Sequence, residues 1–150
     1  MSMELRVFES PGKEWDDFAS RHTNLVFYQS IWSEVLRKGL GGQPLYFYLM
    51  DGGEMVVGLP GVLLDFKIIK ILYASIPYGN MIGDPSYFPE FMEFVGPEHC
   101  HINTDWGQPI AMDPVDGYRL FVRMLMHWGF SKEDIRTMVH TNPEKFLYLQ

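Results

Sequence analysis

The chain has 150 residues, a formal net charge of −7 and a single cysteine, and its 47% hydrophobic and 21% charged residues indicate a globular protein rather than a disordered one. The acidic balance without a basic stripe argues against nucleic acid and anionic membranes as partners, and one cysteine excludes an internal disulfide framework or a Cys-Cys zinc motif. We expect a cytoplasmic protein, because a lone cysteine suits a reducing compartment and no apolar run predicts a signal peptide or a membrane span.

The first predicted elements are a strand over residues 3–8 and a helix over residues 13–22. A second helix is expected to have Ser30 as its N-cap and Gly39 as its left-handed C-terminal residue. In the first helix, side chains at i, i+3, i+4 and i+7 predict a buried face. These are Trp15, Phe18, Ala19 and His22.

The middle of the chain predicts β-structure. Residues 45–50 and 55–59 are apolar segments on either side of an Asp-Gly-Gly turn, which indicates a hairpin. Pro60 interrupts this pattern, so the segment after it is expected to be an edge strand or a bulged continuation. Residues 68–76 predict another strand.

The next segment combines loops with short elements. Residues 77–85 predict a loop, because they are rich in residues that permit a positive φ. A short helix is predicted over residues 89–95 and a brief strand over residues 100–104. Residues 106–113 predict a second loop.

The last forty residues predict helices. Pro114 suits the first turn of one helix, and Gly129 suits its end. Ser131 and Asp134 form a capping-box pattern that begins a helix extending to about residue 140. Asn142 is expected to cap a last short helix.

Four motifs of the first 95 residues, namely aromatic helix anchors, a hairpin and a loop after a strand, carry a family resemblance. They are WDDF at 15–18, FYQSIW at 27–32, DGGEMVVGLP at 51–60 and SIPYG at 75–79. This pattern resembles the first half of FemAB-like peptidyltransferases and acetyltransferases, which have a GNAT-like (acyl-CoA N-acyltransferase) fold. The resemblance implies an acyl or aminoacyl donor as cofactor.

Residues 96–150 resemble a different family. The segment EHCHINTDWGQP at 98–109 and the helical motifs that follow it are similar to the C-terminal tail of amidohydrolase-like metal-dependent hydrolases. In that family an aspartate at the end of the last barrel strand binds a metal or acts as the base, and the motif places it at Asp105. The resemblance thus implies Asp105 as a catalytic residue and as the ligand of a divalent metal such as zinc.

Asp105 also has a simpler interpretation, as an aspartate that accepts backbone hydrogen bonds in a loop after a strand. The nearby His99 and His101 do not complete a metal site with it. Four extended residues separate His101 from Asp105 by roughly 13 Å, whereas zinc ligands lie about 2 Å from the ion. Cys100 is expected to be a small buried residue rather than a nucleophile.

The sequence therefore predicts an α+β protein, with a GNAT-like half-domain over residues 1–95 and a helical segment over residues 96–150. Each part lacks the rest of the fold that its family needs. The leading hypothesis is a transferase-related protein without full independent activity. The alternatives are a metal-dependent hydrolase fragment that uses Asp105 and a self-associating interaction module. A homo-oligomer or a completing partner chain is expected in the first and last cases.

Overall fold

The computed structural model describes residues 3–67, 70–74, 81–102 and 113–147. The chain divides into two compact units, Met1–Phe91 and Met92–Gln150. The first unit combines an antiparallel sheet with two helices, and the described part of the second is helical. This composition confirms the α+β class. No helix among the described residues has the length and apolar character needed to cross a membrane.

The sheet of the first unit has the strand order β1-β2-β3-β4, and every neighbouring pair is antiparallel. A two-residue strand, β5, pairs with β3 on the same side as β4. The strands are β1 (Glu4–Phe8), β2 (Gln43–Asp51), β3 (Glu54–Asp65), β4 (Lys70–Ala74) and β5 (Ile82–Gly83). The predicted β2–β3 hairpin is confirmed, while β5 lies within a segment predicted to be loop.

The expectation of an edge or a bulge at Pro60 was wrong. The strand β3 continues through Pro60, which pairs with Tyr46, and it has neighbours on both sides. On the side away from β2, β5 pairs with β3 up to Gly58, and β4 pairs with β3 from Gly61 onwards. Neither of these described ladders includes Pro60, which has no N–H to donate.

Helix α1 (Lys13–His22) packs its aromatic face on the sheet. Trp15 and Phe18 are buried, as their spacing predicts, and the Trp15 ring stacks on Tyr48 with centroids 5.4 Å apart. A Cβ at Gly58 would lie 2.5 Å from the Trp15 ring, so the close approach of α1 to β3 requires glycine there. His22 is exposed instead and packs against the Phe18 ring.

Helix α2 (Ser30–Leu40) begins and ends differently from its prediction. Ser30 is the first helical residue rather than the N-cap, and its N–H and hydroxyl both donate to the Asp16 carboxylate of α1. A side chain from another helix therefore caps this end. The helix continues past Gly39, and Gly41 adopts the left-handed conformation with φ of 70°.

The second unit is built from helices around Leu125, Ile135 and Met138, all of which are buried. The Pro114 start, the positive φ of Gly129 and the capping box of Ser131 with Asp134 agree with the sequence predictions. Its helices are α4 (Pro114–His127), α5 (Lys132–Arg136) and α6 (Asn142–Leu147). Helix α3 (Phe88–Val95) spans the division between the two units.

The prediction that Asn142 caps a separate helix was wrong. A π-helical segment, Thr137–Thr141, joins α5 to α6, and Asn142 has helical backbone angles. Proline at position 143 lacks an N–H, and its ring would clash with the carbonyl of Val139 in a regular helix. The wider π-turn accommodates this proline and keeps the helical run continuous.

The strand predicted over residues 100–104 does not form in residues 100–102, the part of it that the structure describes. Cys100, His101 and Ile102 have no strand pairing, and a short 3₁₀ turn, Pro97–His99, precedes them. The N–H of Ile102 donates to the carbonyl of Met138 in the π-helical segment at 3.3 Å. Contact with a helix replaces the ladder that a strand would need. Residues 103 and 104 lie outside the described residues.

Candidate functional site

An open cleft of about 520 Å³ lies in the first unit, between α1 and the strands β1, β2 and β3. Its volume falls within the roughly 300–1,000 Å³ typical of small-molecule sites. The apolar floor consists of Phe8, Phe18, Tyr48, Met50 and Met55. The charged or titratable rim consists of Arg6, Glu14, Arg21, His22 and Glu54. We define this set as the α1–β1 cleft.

Strand register and helical spacing together produce the cleft. Arg6 of β1 lies directly opposite Tyr48 of β2, so the two side chains emerge on the same face of the sheet. On α1, the side chains of Glu14, Phe18 and Arg21 recur at i, i+4 and i+7 and form one stripe. The cleft is the space between this helical stripe and the outer part of the sheet.

The rim carries charges of both signs at different places. Glu14 and Arg21 are seven residues apart on α1, which corresponds to about 10 Å along the helix axis. Neither residue takes part in an ion pair among the described residues. Arg6 differs, because its guanidinium lies 2.8 Å from the Glu4 carboxylate. Glu14 and Arg21 are therefore available to bind an external charged group.

Arg21 is positioned by an aromatic contact. Its guanidinium carbon lies 6.0 Å from the centre of the Phe18 ring, within the range of a cation–π interaction. His22 packs on the same ring, with the two ring centroids 4.5 Å apart. Phe18 is buried and fixed against the sheet, so it provides a rigid support for the cationic end of the rim.

The floor contains a buried hydroxyl. Tyr48 is 2% exposed, and its hydroxyl has no hydrogen-bond partner of normal geometry among the described residues. Burial raises the pKa of Tyr48 to about 12, although the nearby Gly12 backbone opposes this shift. The negative charge of Glu14 is close enough to add to the rise in pKa. Tyr48 is therefore a neutral phenol at physiological pH, beside the acidic end of the cleft.

A smaller cavity of about 230 Å³ lies between α2, β2 and residues 9–11, and Tyr46, Ser33, Glu34 and Arg37 are among its lining residues. Arg37 donates two hydrogen bonds to Glu34 and lowers the pKa of this carboxyl to about 2. The charges of this cavity therefore satisfy each other. Burial raises the pKa of the Tyr46 hydroxyl, an effect that the nearby Ser33 opposes.

In the second unit, the side chains of Asn142 and Tyr118 hold residues 97–102, the segment that precedes Asp105 in the sequence. The Asn142 amide donates to the carbonyls of Pro97 and Cys100. The hydroxyl of Tyr118 donates to the carbonyl of Ile102. Together with the Ile102 N–H bond to Met138, these contacts fix residues 97–102 against the helices.

The histidines and the cysteine of this segment differ in their exposure. His99 and His101 are exposed, and Cys100 is partly buried. Burial raises the pKa of the Cys100 thiol to about 11, which opposes formation of the nucleophilic thiolate. Within the described residues, no three His, Cys, Asp or Glu side chains are grouped so that they could hold a metal.

Asp105 itself lies outside the described residues, so its catalytic and metal-binding roles stay predictions. Comparison with protein-family models, with curated proteins and with solved structures found no match.

The α1–β1 cleft was not predicted from the sequence. The sequence does contain the spacing of Glu14 and Arg21, which flank Phe18 of the predicted buried face of α1. Arg6 and Met50 belong to strands separated by two helices in the sequence, and only the strand order brings them to the same cleft. Helical spacing alone does not show which strand lies opposite a helix face.

Proposed function

We propose that the first unit is the first half of a GNAT-like transferase fold, related to FemAB-like acyl- or aminoacyl-transferases. The observation that carries this proposal is the order of the elements. Both α1 and α2 lie between β1 and β2, and the strands β1 to β4 form an antiparallel sheet in the order of the chain. This arrangement supports the fold that the sequence motifs imply.

The proposal includes the inference that the chain alone lacks full transferase activity. The family resemblance implies a second half, whose strand and helix receive the acyl donor, whereas residues 96–150 resemble a different family. Strand β4 is paired only with β3 within the described part of the chain, and Leu72 in β4 is 43% exposed. An edge with unpaired backbone groups suits a role as one side of a donor site or as the contact for a completing chain.

The test is a titration of the whole chain with acetyl-CoA, in which amide NMR spectra monitor binding. We expect weak, saturable binding with the largest shifts at Lys70–Ala74, and no acyl transfer to amine acceptors. Adenosine diphosphate serves as a probe that contains the nucleotide without the acyl thioester. A titration with an aminoacyl thioester tests the aminoacyl alternative in the same way.

Matched substitutions localise the effect. Leu72→Glu places a negative charge on the exposed face of β4 and should weaken acetyl-CoA binding, since the donor is an anion. Leu147→Glu changes a side chain that is 75% exposed on α6 and should leave the titration unchanged. The absence of saturable binding to either donor would remove the transferase proposal. Multiple turnovers by the isolated chain would contradict the inference of incomplete activity.

A further inference from the structure

We propose that the α1–β1 cleft binds a small extended zwitterion with an apolar middle, its ammonium group beside Glu14 and its carboxylate beside Arg21. This class includes a short peptide with free termini and an ω-amino acid. The inference stands on the cleft alone and does not depend on a transferase function.

The charges of Glu14 and Arg21 favour a ligand that carries both signs. A ligand that spans the cleft lies beside the Glu14 carboxylate at one end and beside the Arg21 guanidinium at the other, so opposite charges at its two ends match both. Since neither of these side chains has an ion-pair partner within the described chain, each can hold one end of a ligand without breaking an ion pair there. The guanidinium can also bind a carboxylate through two hydrogen bonds.

The spacing sets the length of the ligand. Seven helical residues separate Glu14 from Arg21 by about 10 Å. An extended peptide advances about 3.3 Å per residue, so a tripeptide spans about the same distance. A single α-amino acid is too short to reach both ends, because its charged groups are attached to one carbon.

The floor favours an apolar middle. Phe18 lies between Glu14 and Arg21 on the helical stripe, and Met50 and Met55 line the sheet side. Both methionines are partly buried against the aromatic core of the first unit. Flexible thioethers adapt to ligand side chains of different shape, so the floor suits an apolar group without selecting one shape.

The orientation follows from the contacts of the two ends. Arg21 is held over the Phe18 ring, and its remaining N–H groups face no acidic partner within the described chain. Glu14 lies near the N-terminus of α1, close to Gly12 and Tyr48. A second carboxylate, Glu54, also lines the cleft and provides a direct test of the orientation.

The test is an NMR titration of the full chain with the tripeptide Ala-Leu-Ala. The peptide is used with both termini free, with the amino end acetylated and with the carboxyl end amidated. Each block should weaken binding by about threefold to tenfold, because each removes one exposed ionic contact. Binding should also weaken as the salt concentration rises, since these contacts are screened.

Two substitutions test which residue binds which end of the peptide. Glu14→Gln should weaken binding of the free peptide by about threefold to tenfold, but should not weaken binding of the acetylated one. Arg21→Gln should show the same pattern with the amidated peptide. Glu133→Gln and Arg123→Gln change exposed residues of the second unit and serve as matched controls. Amide spectra of each variant show whether the fold is retained.

Titration with an eight-carbon ω-amino acid distinguishes a peptide ligand from a zwitterion without peptide groups. If it binds as tightly as the tripeptide, the ligand is recognised by its charges and its apolar chain alone. If the tripeptide binds more tightly, peptide groups contribute and the ligand class is a peptide. Either result upholds the zwitterion. The proposal is overturned if neither probe saturates, if terminal blocks leave the affinity unchanged, or if Glu54→Gln produces the effects expected of Glu14→Gln.

Discussion

The side-chain amide of Asn142 donates a hydrogen bond to the backbone carbonyl of Cys100, which lies 42 residues earlier in the chain. The same amide group donates to the carbonyl of Pro97. One side chain on α6 thereby satisfies two carbonyls of an irregular segment that has no strand partner. The π-turn before Pro143 keeps this asparagine in a continuous helical run, so helix geometry and segment position are connected.

Replacing Asn142 with alanine should destabilise the second unit by about 1–3 kcal/mol, because it leaves two partly buried carbonyls without a donor. Asn142→Asp should be at least as harmful, since a carboxylate cannot donate to these carbonyls. Urea unfolding, monitored by the amide NMR signals of α5 and α6, measures the effect. Lys145→Ala, an exposed change on the same helix, is the control and should have little effect. Equal stability of all variants would refute the structural role of Asn142.

Replacing Tyr48 with phenylalanine should leave the first unit equally stable or increase its free energy of unfolding by up to about 1 kcal/mol. The native hydroxyl is buried without a well-formed hydrogen bond, so its removal eliminates a desolvation cost and keeps the ring stacked on Trp15. Tyr87→Phe is the contrast, because the Tyr87 hydroxyl donates to Asp51 at 3.0 Å. Thermal unfolding should show that Tyr87→Phe is the less stable of the two variants. A clear loss of stability in Tyr48→Phe would contradict the prediction.

The Cys100 thiol should react slowly with iodoacetamide in the folded protein at pH 8. Its pKa is about 11 in the folded chain, against an ordinary value of 9.0, because burial opposes the thiolate. Between these values the unfolded chain loses this proton first, so the stability contribution of Cys100 is complete below pH 9 and decreases as the pH rises to 11.

Alkylation rates measured from pH 7 to pH 11, with and without urea, test this expectation. The chain contains one cysteine, so the readout has a single source. Denaturation should shift the midpoint of the rate profile to lower pH. An identical profile in urea would show that burial does not control the thiol.

The hydrolase interpretation predicts a stoichiometric divalent metal, such as zinc, in the purified protein, bound through Asp105. Asp105→Ala should remove this metal and any hydrolytic activity that depends on it. His101→Ala should retain both, because an extended segment would place His101 too far from Asp105 to share the ion. Elemental analysis is the measurement. Metal-free wild-type protein, or metal retained in Asp105→Ala, would exclude Asp105 as an essential ligand.

Local sequence signals predicted the elements that depend on neighbouring residues. The Asp-Gly-Gly turn predicted the β2–β3 hairpin, and the apolar spacing of Trp15 and Phe18 predicted the buried face of α1. Ser131 and Asp134 likewise form the predicted capping box. In each case the residues that make the contact lie within a few positions of each other, so their pattern is visible in the sequence.

Tertiary contacts decided the features that the sequence pattern missed. The N-terminus of α2 is capped by Asp16, 14 residues earlier, rather than by its own Ser30. Pro60 lies inside β3 and pairs with Tyr46 of β2, outside the described ladders with β4 and β5. Both features depend on which elements pack together, and local residue patterns do not contain that information.

The sequence by itself determined the α+β class and the helices of the second unit, and it places Glu14 and Arg21 seven residues apart on one helix. Only the tertiary structure placed those charges at the rim of one cleft, above Met50 of a strand distant in the sequence. The tertiary structure also brings the Asn142 amide within hydrogen-bonding distance of the Pro97 and Cys100 carbonyls. Helix and turn formation depends on contacts over a few residues, whereas a cleft exists only after distant elements have packed.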